Sequence, residues 1–141
     1  MGEKPDKIVM TGVSVLIRRD DQVLLIKRRG SHGAGTWACP GGHIDFGETP
    51  EACGERETRE EVGLAIAGLR FIGITNDVFE AEGKHYITIW MEARYVGGEP
   101  AIAAPGEMTE LGWFAWDALP EPLFLPLANL IAGGLYAGAQ G

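Results

Sequence analysis

The sequence predicts an α/β domain built on a β-sheet held between helical layers. Two observations carry that expectation. The near-continuous apolar runs Ile8–Arg18 and Gln22–Lys27 suit strands that are buried on both faces. A single well-punctuated helix, Pro50–Val62, then separates them from a second set of strand patterns.

In order, Ile8–Arg18 reads as a strand, Asp20-Asp21 as a turn and Gln22–Lys27 as a second strand, together forming a hairpin. Lys27, Arg28 and Arg29 lead into a glycine-rich basic loop, Gly30-Ser31-His32-Gly33-Ala34-Gly35. Such a loop is either a solvated turn or a wall over an anionic ligand, with Arg28 as the best contact. It lacks the lysine–hydroxyl pair of a P-loop. Trp37-Ala38-Cys39-Pro40 enters a tight glycine turn at Gly41 and Gly42. Those glycines are expected to permit positive φ and close approach of backbone to a ligand.

Thr49 is the expected N-cap, Pro50 the first helical residue and Gly63 the terminating glycine. The helix has few apolar residues, chiefly Ala52, Cys53 and Val62. Cys53 and Gly54 should lie one turn before Glu57, where small side chains would leave room beside the carboxylates. Further strands are expected within Ala65–Phe79, at His85–Val96 and at Gly112–Ala115. Glu80–Lys84 reads as a hairpin loop, Glu99–Thr109 as an irregular loop and Leu123–Ile131 as helical. Residues 1–141 read as one domain, with flexible ends at 1–7 and 133–141.

The net charge of -8 argues against a nucleic-acid polymer or an anionic membrane as partner, because both require basic patches. A phosphorylated small ligand is compatible, since a bound metal ion inverts the local field. Cys39 and Cys53 show no zinc or redox spacing. The start, MGEKPDK, lacks the apolar core of a signal peptide. No apolar run approaches the roughly 18 residues of a membrane span. The expectation is a cytoplasmic protein with free thiols.

The chemistry is concentrated on the helix. Glu57, Glu60 and Glu61 stand at i, i+3 and i+4, which stacks them on one face. Like charges so placed cost roughly 0.2–0.5 kcal/mol per pair, so a cation should lie opposite. Carboxylates without sulfur or paired imidazole suit a hard divalent ion, Mg²⁺ first and Mn²⁺ second. Arg56 and Glu60 are also i, i+4, so ordinary ion pairing accounts for part of the face.

Gly42, five residues, Glu48, seven residues and then Arg56-Glu57-Thr58-Arg59-Glu60-Glu61-Val62-Gly63-Leu64 resembles the signature of the Nudix hydrolases. Every fixed position matches; Thr58 departs where a bulky aliphatic is usual. The resemblance implies an α/β/α sandwich with a mixed β-sheet and metal-dependent hydrolysis of a diphosphate bridge. It implies Glu57 and Glu61 as metal ligands and Glu60 as a further ligand or the residue that orients or deprotonates water. Gly41 would add a carbonyl ligand, Arg56 would hold the carboxylates, and Glu48 would support the loop or reach a further metal. Glu107 is the candidate general base from a later loop, with Glu110 and Glu99 behind it.

The flanks, including Lys27–Thr49, Asn76–Phe79, His85–Thr88 and Trp113–Trp116, resemble MutT-type nucleoside triphosphate diphosphatases of the MutT homologue 2 group. That resemblance implies a homodimer releasing a nucleoside monophosphate and pyrophosphate. It makes Arg28 a phosphate contact and Trp37 and Phe79 pocket walls, with His85 either a polar group of its strand or a base or phosphate contact. Each aromatic could equally be core, and Trp90 and Trp113 are expected in the core or at a dimer contact. Prenyl diphosphates, nucleotide sugars and dinucleotides are the alternative substrates, and a non-catalytic binding module is the rival outside catalysis.

Overall fold

The computed structural model describes residues 7–30 and 32–133. Its elements are β1 (Val9–Arg19), β2 (Gln22–Arg28), β3 (Trp37–Ala38), β4 (Gly41–His43), α1 (Pro50–Val62), β5 (Ile66–Phe79), β6 (Lys84–Tyr95), β7 (Met108–Ala115) and α2 (Leu125–Ile131). A 3-10 turn, Glu80–Glu82, joins β5 to β6. The expectations for the two ends fall outside the described residues, apart from Lys7 and Gly133, and so does Ser31.

The sheet is mixed. β1 runs parallel to β6 over Val9–Arg18, and the other pairings are antiparallel. Its main path is β3-β2-β1-β6-β5, with β4 on β1 and β7 on β2. Alternation along each strand sorts the core into two layers. Val13, Val15, Ile17, Leu24 and Ile26 face α1 with Cys53 and Val62. Leu16, Val23, Leu25 and Trp90 face the opposite side with Leu127 of α2. This is the expected sheet between helical layers. Among the described residues no helix is long and apolar enough to cross a membrane.

The β1–β2 hairpin pairs only at its tip, Arg18 with Val23 and Arg19 with Gln22. Asp20 closes that turn at a φ of 56°, a conformation aspartate tolerates better than most residues. Beyond the tip the strands splay, and residues 37–43 fill the opening. β3 pairs with β2, the Val15 amide donates to the Pro40 carbonyl at 2.9 Å, and β4 pairs with β1. The sequence assigns this segment no regular element of its own; it forms two short strands wedged into the sheet. β7 likewise begins four residues earlier than expected, at Met108, because β2 supplies a continuous antiparallel partner from Gln22 to Arg28.

α1 has the expected limits. The Ala52 amide donates to Thr49 Oγ1 at 3.0 Å, and Gly63 ends the helix at a φ of 72°. Its buried face is a narrow row of Cys53, Gly54, Thr58, Glu61 and Val62. The reading of Gly54 is corrected. A Cβ there would lie 3.0 Å from Val15 Cγ2 and 3.1 Å from Leu69 Cδ2, so the glycine lets α1 approach the sheet rather than leaving room beside the glutamates. The helix's last carbonyls are capped from the loop after β6: Ala101 and Ala103 amides donate to Val62 and Glu61 carbonyls, both at 3.0 Å. This meets the need of a helix end for outside donors and carries the following loop toward the glutamates.

Candidate active site

The site forms where β4 meets α1. Neither Gly41 nor Gly42 has a positive φ, so that expectation is corrected: close approach is what excludes a side chain there. A Cβ on Gly41 would lie 2.1 Å from the Val13 carbonyl oxygen, and one on Gly42 would lie 2.4 Å from Glu57 Oε2. The Gly41 amide donates to Glu61 Oε1 at 3.2 Å. The glycine pair thus forms a wall directly against the two inner glutamates.

Arg56 organises the outer side. Its Nε donates to Glu48 Oε2 at 2.7 Å and its Nη2 to Glu48 Oε1 at 3.0 Å. Nη1 donates to Glu57 at 3.0 Å and to Glu60 at 3.3 Å, and Nη2 reaches the His43 carbonyl at 3.2 Å. The forked guanidinium suits such simultaneous carboxylate contacts. It ties the β4–α1 loop to the helix and holds the Glu48 carboxyl down at about 2, helped by the Asp45 amide. Glu48 is thereby engaged with Arg56 and does not line the cleft.

The inner carboxylates behave oppositely. Burial raises Glu57 above the ordinary carboxylate range. Burial also pushes Glu61 up to about 8; the Gly41 amide opposes that shift, and Glu57 and Glu107 reinforce it. Among the described residues no three acidic, histidine or cysteine groups already converge as a cation site, but both of these glutamates are oxygen donors lining the cleft. Such a set fits a hard divalent cation, whose charge would hold the carboxylates ionised. Glu60 is exposed at the mouth.

Glu107 reaches this cluster from the β6–β7 loop. The Arg29 amide donates to its carbonyl at 2.9 Å, while Ala101 and Ala103 anchor the same loop to α1. Glu110 instead faces Lys27 at 3.5 Å, and Glu99 is exposed; neither lines the cleft.

The cleft has a volume of about 330 Å³ and runs from these glutamates past Arg28 to an aromatic wall. Arg28 lies under the glycine-rich loop, with Nε donating to the His32 carbonyl at 3.1 Å and its guanidinium 4.0 Å from the Phe124 ring centre. Burial lowers its pKa, and Glu61 is the chief opposing influence. The wall is a cluster of rings. His32 stands 4.5 Å from Phe79, 5.7 Å from Tyr86 and 5.4 Å from Phe124, and His43 stacks on Tyr86 at 5.6 Å. His32 Nδ1 also contacts Glu82.

The structure therefore brings Gly41, Gly42, Glu57, Glu60, Glu61, Glu107, Arg28 and Phe79 to one cleft. Two candidate pocket residues take their structural alternatives instead. Trp37 is buried against Phe114 in the layer facing α2, because β3 is wedged into the sheet. His85 bonds Asn76 Oδ1 at 2.6 Å across β5–β6; its neighbour Tyr86 points to the cleft instead, as alternation along a strand requires. Trp90 is core, and Trp113 is half-buried beneath Arg19, whose guanidinium is 4.2 Å from its ring.

Sequence reasoning missed His32, His43, Tyr86 and Phe124. His43 carried a usable signal, being next to the glycine pair. Phe124 had none, since it arrives from some 80 residues away in the chain.

A NUDIX domain model matches residues 9–133. The MutT NUDIX hydrolase of Burkholderia pseudomallei superposes with a TM-score of 0.79 at 36% identity, over 83% of this chain and 91% of that one. Among curated relatives, the NAD-capped RNA hydrolase NudC of Pseudomonas aeruginosa is 38% identical over 118 residues, which is 84% of this chain and 39% of that protein. The ADP-ribose pyrophosphatase of Methanocaldococcus jannaschii is 32% identical over 112 residues, 79% of this chain and 65% of that protein. The chain thus spans less than two thirds of the length of either curated relative.

Proposed function

Because the chain belongs to the NUDIX domain family, we propose that it hydrolyses a nucleoside triphosphate to a nucleoside monophosphate and pyrophosphate. The observation that carries this reading is one cleft with two unlike ends. Glutamates and Arg28 suit a polyphosphate, and a wall of rings suits a flat base. Arg28 contributes a fixed positive charge toward phosphate oxygens, and its stacking on Phe124 keeps the guanidinium plane in place.

Glu57, Glu61, Glu60 and the Gly41 carbonyl would hold a divalent cation, Mg²⁺ first and Mn²⁺ second. Such an ion supplies charge neutralisation at phosphate and lowers the pKa of water. Arg56 holds Glu57 and Glu60 at the mouth. Glu60 or Glu107 takes the proton of the attacking water, Glu107 being the carboxylate that approaches from outside the helix. Gly42 contributes close backbone approach, and Phe79 contributes part of the base wall.

The names of the curated relatives support a second reading, hydrolysis of ADP-ribose or of an NAD cap at the same carboxylates. Incubation of the protein with nucleoside triphosphates, ADP-ribose, NADH and prenyl diphosphates, with Mg²⁺ in ¹⁸O water, separates the two. The expected result is monophosphate and pyrophosphate from a triphosphate, with label in the monophosphate. Turnover of ADP-ribose or NADH alone would replace the first reading by the second. Undiminished cation binding in Glu57→Gln and Glu61→Gln would remove the metal assignment.

A further inference from the structure

Beneath the aromatic wall lies a buried carboxylate that the proposed chemistry does not use. Asp77 of β5 is fully buried. Its Oδ2 accepts from Thr75 Oγ1 at 3.1 Å and from Thr88 Oγ1 at 2.6 Å. Its Oδ1 accepts from Asn129 Nδ2 of α2 at 2.8 Å. The same Asn129 nitrogen reaches the Asn76 carbonyl at 3.3 Å, so both of its protons have acceptors. Trp90 Nε1 donates to Thr75 Oγ1 at 3.0 Å. A buried carboxylate is costly to retain without a cation, and among the described residues Asp77 forms no ion pair.

The arrangement has a forced direction. A carboxylate only accepts, and a hydroxyl has one proton to give. Because the Asp77 carboxylate only accepts, Thr75 gives it its one proton while a lone pair of Thr75 takes the Trp90 N–H. Thr88 spends its proton on Asp77 as well. Thr88 and Trp90 are among the residues that line the cleft; with its proton committed to Asp77, the Thr88 hydroxyl can meet a ligand only as an acceptor, and the Trp90 N–H is committed to Thr75.

We propose that Asp77 is a positioning residue for specificity: it fixes the hydrogen-bond polarity of the cleft lining, so that Thr88 selects a base presenting an exocyclic amine. This rests on the reading of the cleft as a nucleotide site. The expected preference is for the 6-aminopurine edge over the same purine without the amine, and over the 6-oxo edge. An unpaired buried acceptor is worth about tenfold in such a comparison.

The test is binding of AMP, purine riboside monophosphate and IMP by calorimetry, which requires no hydrolysis. It is paired with kcat/KM for dATP and dITP with Mg²⁺. The wild type should bind in the order AMP, purine riboside monophosphate, IMP, each step being severalfold. In Asp77→Asn the amide nitrogen faces the two hydroxyls and makes them accept, which frees the Thr88 proton toward the cleft. AMP should then lose, IMP should gain, and the AMP/IMP ratio should fall about tenfold or more. Thr88→Val should bring AMP and purine riboside monophosphate to equal affinity, and it decides the matter if Asp77→Asn does not fold.

A wild type that binds IMP as well as AMP, or binds neither, overturns the proposal. So does an unchanged ratio in a folded Asp77→Asn, or a preserved amine preference in Thr88→Val. Amine-selective monophosphate binding without triphosphate turnover would defeat only the proposed reaction. Triphosphate turnover blind to the base edge would defeat only this assignment.

Discussion

Gly42→Ala separates the machinery of the site from the stability of the fold. The added Cβ would lie 2.4 to 2.9 Å from the three atoms of the Glu57 carboxylate group. Relief to ordinary contact at 3.4 Å requires the carboxylate to move about 1 Å. That group is the far end of a flexible side chain, so the fold yields there at little cost. A misplacement of about 1 Å is enough to cost on the order of 10² in rate. We expect Gly42→Ala to unfold within a few degrees of the wild type while losing about a hundredfold in kcat/KM, with weakened divalent-cation binding.

Gly41→Ala is the control. Its Cβ would meet the Val13 carbonyl oxygen at 2.1 Å and Ser14 Cα at 2.9 Å, both backbone atoms that cannot swing aside. It should lose several degrees or more of thermal stability, overpacking of this kind costing about 1–3 kcal/mol. Scanning calorimetry and steady-state kinetics on the two variants decide the matter. Full activity in Gly42→Ala would refute the argument that close approach there positions Glu57, and a Gly41→Ala as stable as the wild type would refute the argument that β1 backbone excludes a side chain at Gly41.

Thr58 is fully buried and its Oγ1 has no hydrogen-bond partner; Thr58→Val, nearly equal in volume, should stabilise by about 1 kcal/mol in urea unfolding, and a destabilised variant would mean that the hydroxyl is satisfied. Glu48 is held at about 2 in the folded chain against an ordinary value of 4.5, so its stabilisation is present above about 4.5 and is lost as pH falls toward 2. Glu48→Gln should therefore be less stable than the wild type at neutral pH, with the difference vanishing at about pH 2; a gap that persists unchanged into acid would count against the Arg56 pairing. Burial pushes both Cys39 and Cys53 up to about 12, so neither should react with a disulfide reagent in the folded protein at pH 8, and prompt labelling of either thiol would contradict the packing described.

The sequence by itself determined the helix, its caps and the order of its glutamates. Thr49, Pro50 and Gly63 act on backbone groups within a few residues of themselves, and i, i+3, i+4 spacing needs nothing beyond the helix. It also pointed to burial of β1 and β2 on both faces, because near-continuous apolar runs suit a sheet covered on each side. Only the tertiary structure decided which neighbours those elements meet. Both Trp37 and Tyr86 are aromatic residues near the glycine loop or the strands, yet the wedging of β3 into the sheet buries the first, and the register of β6 turns the second into the cleft. The close approach that makes Gly42 necessary involves a carboxylate fifteen residues away, and Asp77 meets Thr88 and Asn129 only through the pairing of β5 with β6 and the docking of α2. Local spacing fixes what a side chain offers; long-range contacts fix what it faces, and the selectivity of this cleft depends on the second.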